Sequence, residues 1–121
     1  MGLPMYSALL LDHFQNPRNV GELLAADATA EIENPACGDV LRLTLKVSAG
    51  RITLAQFKAK GCVAAIACGS ALTQLIVGKT LDEAGKLRRS DLSAAVGGLP
   101  QASTHAAQLA VEALSVALSR I

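Results

Sequence analysis

The residues able to do chemistry in this chain are few. They are Cys37, Cys62, Cys68, His13 and His105, with Asp39 two residues after the first cysteine. Thiolates, an imidazole and a carboxylate together suit zinc, ferrous iron or an iron–sulfur cluster. Each residue also has a plain reading. A buried cysteine in a reducing compartment is common and inert, Asp39 is a turn residue, and His13, beside Asp12 at a helix end, is a local hydrogen-bonding group. Whether any of them form a site depends on the elements that carry them.

Leu41, Leu43, Leu45 and Val47 alternate with Arg42, Thr44 and Lys46, the period-2 pattern of a half-buried strand over 40–48. Ala49-Gly50 makes a turn. Residues 51–59 alternate again through Ala55, Phe57 and Ala59, with Ile52 and Leu54 out of phase, which predicts a bulge or twist near residue 54. In a hairpin about Ala49-Gly50, paired numbers sum to about 99, so Asp39 falls opposite Lys60 and Cys37 opposite Cys62. Two cysteines distant in sequence then reach the same open end of the sheet.

Cys62 opens an apolar helix over 64–77, where the positive end of the helix dipole is expected to favour its thiolate. Cys68, six residues on and about 600° around that helix, points elsewhere and reads as core. Gly78 ends this helix at C′. Thr80 with Glu83 forms a capping box for a short helix, and Ser90 is expected to cap another through Val96. After Gly97-Gly98-Leu99-Pro100, Ser103 or Thr104 caps a last helix to about residue 119. His105 sits in its first turn and approaches Cys37 and Cys62 if this helix packs beside the first long one. Near the N-terminus, residues 5–14 form a short helix with Tyr6, Leu9, Leu10 and His13 on one face, stopped by Asn16-Pro17. Residues 28–33 form a further strand. The fold class is α+β, a small antiparallel sheet of about three strands with helices on one face, in a single domain over 1–121.

A formal net charge of +1 and the absence of a basic cluster exclude an electrostatic nucleic-acid binder. No segment has the roughly 20 apolar residues of a membrane span. The N-terminus lacks the basic leader of a signal peptide, so the expected location is the cytoplasm, where thiols stay reduced.

Four segments, in order, resemble the IscU/NifU/SufU scaffold family of iron–sulfur cluster biogenesis. They are Tyr6-Ser7 with Asp12-His13-Phe14-Gln15-Asn16-Pro17-Arg18-Asn19, then Asn34-Pro35-Ala36-Cys37-Gly38-Asp39, then Lys60-Gly61-Cys62 with Ala64-Ala65-Ile66-Ala67, and finally Gly78-Lys79-Thr80-Leu81-Asp82-Glu83-Ala84. The resemblance implies that Cys37, Asp39, Cys62 and His105 hold zinc or a nascent [2Fe–2S] cluster. It implies a scaffold that passes cargo to apo client proteins, with a cysteine desulfurase as partner, and not an enzyme in the turnover sense.

The chain departs from the family at two places. The third family cysteine directly follows the histidine, and here that position is Ala106. A Leu-Pro-Pro-Val-Lys stretch of the IscU branch, read by a dedicated chaperone, is Leu99-Pro100-Gln101-Ala102-Ser103 here. Alanine neither accepts a persulfide nor binds metal. The alternatives are therefore a degenerate paralogue acting as an interaction module, and a thiol-dependent sulfurtransferase using Cys62.

Overall fold

The computed structural model describes residues 6–121. Three strands, β1 (Ala28–Asn34), β2 (Asp39–Ser48) and β3 (Arg51–Lys60), form one antiparallel sheet in the order β1-β2-β3. The hairpin between β2 and β3 turns through Ala49 and Gly50, both at positive φ (52° and 74°). Those backbone angles match the twist of the strands they join.

Near this turn the pairs sum to 99, with Val47 opposite Ile52, and beyond it to 100, with Lys46 opposite Leu54. Thr53 is the extra residue, a bulge one position from where the phase slip predicts it. The slip corrects the expected register at the open end. Lys60 lies opposite Val40, not Asp39, and continuing the pairing carries Asp39 toward Gly61.

Leu41, Leu43, Leu45, Ala55 and Phe57 are buried under two helices, α2 (Val63–Ile76) and α5 (Thr104–Leu118). Fully burying each of the larger side chains contributes about 1.5–3 kcal/mol. Gly69 lets α2 close onto the sheet: a Cβ there would sit 2.5 Å from the Phe57 ring and 3.2 Å from Leu41 Cδ1. With few large rings, the core packs alanine faces of α2 and α5 against one another. The segment after Pro17 pairs along the free edge of β3 and then crosses onto the opposite face of the sheet. Asn19 and Gly21 exchange backbone hydrogen bonds with Phe57, and the Leu23 amide donates to Thr44 Oγ1.

Helix α1 (Ala8–Gln15) is capped by the Ser7 hydroxyl and stops at Asn16. The expected start at residue 5 lies outside the described residues. Leu10 and His13 face the core, but Leu9 is 54% exposed, so the predicted four-residue face is narrower than its spacing implies. His13 is not a local group either. Its Nδ1 lies 2.8 Å from Ser70 Oγ of α2, and the Arg18 amide donates to the same hydroxyl. The short helix α3 (Leu81–Gly85) has both hydrogen bonds of the Thr80–Glu83 capping box. Helix α4 (Arg89–Ala95) starts one residue before the expected Ser90 cap. Its cap is Arg88, whose amide donates to the Asp91 carboxylate. A 3-10 turn over Gln101–Ser103 leads into α5. Ser103 takes the cap position of α5 without a side-chain cap bond, and the Thr104 hydroxyl donates to Gln101 O. Among the described residues, no helix is long and apolar enough to cross a membrane.

Candidate metal centre

The site grows from the open end of the sheet. Asn34 closes β1 and shapes the next loop: its backbone carbonyl accepts from the amides of Cys37 and Gly38, and its side-chain oxygen accepts from the Ala36 amide. This turn holds Cys37 in an exposed position. Asp39 then opens β2 and points inward, only 2% exposed.

A buried carboxylate needs partners, and Asp39 has them from three directions. Its Oδ1 accepts from the Cys62 amide at 3.2 Å, and its Oδ2 lies 3.4 Å from Cys62 Sγ and 3.2 Å from His105 Nε2. Burial by itself raises the Asp39 pKa. The hydrogen bonds from the Cys62 thiol, the Cys62 amide, Cys37 and His105 outweigh it and hold the carboxyl below its ordinary range.

Cys62 is the N-cap of α2, and its sulfur accepts from the Ala65 amide at 3.4 Å. The expected lowering of its pKa does not follow. Burial pushes the thiol up, the Ala65 amide pulls it down, and the neighbouring Asp39 carboxylate pushes it up again. Desolvation and a like charge here exceed the helix terminus. Cys68 is fully buried in α2, its thiol pushed up to about 12 mainly by burial, as a core cysteine should be.

His105 stands on the first turn of α5 with its side chain 34% exposed. One ligand atom each from Cys37, Asp39 and His105 lies within 4.8 Å of the others, and Cys62 joins this set through Asp39. Three of the four residues singled out in the sequence therefore form one cluster, Cys62 adjoins it at Asp39, and Cys68 and His13 lie apart from it. A sulfur, a carboxylate oxygen and an imidazole nitrogen this close need little movement to share one thiophilic ion. Beside His105 a cleft of about 470 Å³ opens between the end of β1, α4 and α5, lined by Glu33, Pro35, Arg89 and Gln108 among others. Ala106, next to His105, is 0% exposed and turned into the core.

Sequence reasoning missed two contributors. Asn34 organises the Cys37 loop, and its signal was an Asn just before a Pro. Gly61 makes room for Asp39, and its signal was a glycine between the strand and Cys62.

A three-stranded sheet backed by helices gathers thiols, a carboxylate and an imidazole at its open end. The NifU-like N terminal domain matches residues 5–121, and the chain belongs to that family. It is 45% identical over 114 residues to "Iron-sulfur cluster assembly scaffold protein IscU 1" of Archaeoglobus fulgidus, covering 94% of this chain and 74% of that one. It is 41% identical over 118 residues to "Iron-sulfur cluster assembly scaffold protein IscU" of Haemophilus influenzae, covering 94% and 93%. The fold is shared with the crystal structure of a nitrogen-fixing NifU-like protein (N-terminal) from Brucella abortus, with a TM-score of 0.78 and 20% identity over 95% of this chain and 92% of that one.

Proposed function

We propose that this protein is an iron–sulfur cluster assembly scaffold that holds zinc, iron or a labile [2Fe–2S] cluster at Cys37, Cys62 and His105, with Asp39 as an exchangeable ligand. The observation that carries this reading is the convergence of Cys37, Cys62 and His105 on the buried Asp39 carboxylate. The names of its family relatives support the cargo. The protein binds and hands on its cargo to apo client proteins without turning it over. Its partner is a cysteine desulfurase in the cytoplasm, and it is one domain over residues 1–121.

The cargo supplies ligand positions that pull the sulfurs into the thiolate form. The protein's own groups do the rest. Before loading, Asp39 Oδ2 accepts from the Cys62 thiol and from His105 Nε2. Loading releases the Cys62 thiol proton and needs His105 as the neutral tautomer with its proton on Nδ1, so binding is weaker at low pH. The exposed Cys37 and the partly exposed His105 face the solvent side, where cargo enters and leaves. A degenerate paralogue without assembly activity is favoured by one observation, the thiol-free, sealed position at Ala106.

The test is anaerobic purification of the protein and of its Cys37→Ser and His105→Asn variants, with iron, zinc and sulfide counted per chain. The reading requires near-stoichiometric metal in the parent and loss in both variants. A metal-free parent that cannot be reconstituted favours the paralogue.

A further inference from the structure

The position of Asp39 depends on a residue that has no side chain. A Cβ built on Gly61 would lie 2.1 Å from Asp39 Oδ1, 2.6 Å from its Cγ and 3.1 Å from its Cα. The first two contacts are with the carboxylate itself. The third is with backbone and leaves the aspartate little room to retreat. Gly61 also has φ 144°, a conformation other residues rarely adopt. It therefore bears on the site in two separable ways, through open space and through backbone conformation.

We propose that Gly61 is the positioning residue of the Asp39 carboxylate: its missing side chain leaves the space in which Oδ1 reaches the Cys62 amide while Oδ2 faces Cys62 Sγ and His105 Nε2. This rests on the reading of Asp39 as a ligand of the cargo. The geometry is specific to the oxygen. Oδ1, the atom a Cβ would strike, accepts from the Cys62 amide, whereas Oδ2 serves the thiol and the imidazole. Adding one methyl group at 61 turns the carboxylate off the amide. Oδ2 cannot then stay 3.4 and 3.2 Å from its two partners, because both oxygens sit on one rigid carboxyl group.

The experiment is a double-mutant cycle of Gly61→Ala and Asp39→Ala on the full chain, with two readouts. The first uses no metal: hydrogen exchange at the Cys62 amide. The parent should protect it. Gly61→Ala and Asp39→Ala should each remove that protection, and the double variant should exchange no faster than Asp39→Ala alone. The second is anaerobic Co(II) titration followed by the thiolate-to-metal absorption band. Gly61→Ala should weaken Co(II) about tenfold or more, in line with the loss of a supporting group around a metal, and should have no further effect once Asp39 is alanine.

Protection unchanged in Gly61→Ala overturns the proposal. So does an equal effect of Gly61→Ala in both backgrounds, because backbone strain alone would then account for it. If Gly61→Ala does not fold, the double variant Asp39→Gly with Gly61→Ala decides. Recovered folding supports the clash, and continued failure overturns it. A parent that binds no Co(II) removes the ligand reading of the site, while the exchange cycle still decides what Gly61 does.

Discussion

Ala106→Cys restores the thiol that the family pattern places after the histidine, and its consequences follow from the burial of that position. Ala106 is sealed between α5 and its neighbours. A sulfur added there overpacks the metal-free core by about 1–3 kcal/mol. At about 4 °C per kcal/mol for a domain of this size, the metal-free Tm falls by about 4–12 °C. On the loaded side, structural zinc sites bind with about 10–16 kcal/mol over four ligands, or about 3 kcal/mol for each. A thiolate at 106 reaches the metal only if the first turn of α5 gives up its packing, which again costs about 1–3 kcal/mol. The difference is a gain of up to about 2 kcal/mol, or up to about 30-fold in zinc affinity. The same thiolate should lengthen the lifetime of a reconstituted cluster. The assay is anaerobic reconstitution of parent and variant side by side, read by visible absorption, by iron and sulfide counts and by metal-free melting. A parent that builds a stable stoichiometric cluster as readily as Ala106→Cys would refute the reasoning, because two thiolates would then suffice.

Two further outcomes test the packing around the site. Gly69→Ala drives a methyl group to 2.5 Å from the Phe57 ring; it should lower stability by about 1–3 kcal/mol in denaturant melts, and an unchanged midpoint would show that α2 can slide on the sheet. Burial, with Arg18 nearby and against Asp12, lowers the His13 pKa below its unfolded value of about 6.5. The unfolded chain therefore binds the extra proton first. The His13 contribution to stability is complete above about pH 6.5 and is lost as pH falls toward the lowered folded value. Melts of metal-free protein between pH 7.5 and 5.5 should show a steeper loss for the parent than for His13→Gln, and parallel losses would show that folding leaves the His13 pKa unchanged.

The hairpin was legible because its alternation, its Ala49-Gly50 turn and even its phase slip are local signals. So was the Thr80–Glu83 box, which is a relation between residues three apart. That Cys37 and Cys62 both lie at the open end of the sheet followed from pairing arithmetic, although the Thr53 bulge moved the register by one residue at the end that mattered. What stayed hidden depends on packing across the chain. Asp39 is a candidate ligand in the sequence, but its burial shows only once α2 and α5 pack over it, and His13 looks local until Ser70, far along the sequence, meets it. The Cys62 pKa was misjudged for the same reason: the helix terminus is visible in sequence, but the burial and the Asp39 charge that outweigh it are not.

Cys62 does two jobs that favour different side chains. As the N-cap of α2 its sulfur accepts from the Ala65 amide at 3.4 Å, a weak bond for a soft acceptor. Serine is among the best N-cap residues and reaches the same amide with a harder oxygen, and exchanging a good cap for a poor one costs about 1 kcal/mol. Cys62→Ser should therefore leave the metal-free protein as stable as the parent or up to about 1 kcal/mol more stable, with its Asp39 contacts kept by a hydroxyl of similar reach. It should also bind zinc or Co(II) far more weakly, because a neutral hydroxyl is a poor ligand for thiophilic ions. Most substitutions that damage a site also damage the fold, so opposite movements of Tm and affinity would separate the two roles. If metal affinity is unchanged in Cys62→Ser, Cys62 is a cap and not a ligand. If stability falls along with affinity, the cysteine is held at this position by packing, and the metal loss is only its consequence.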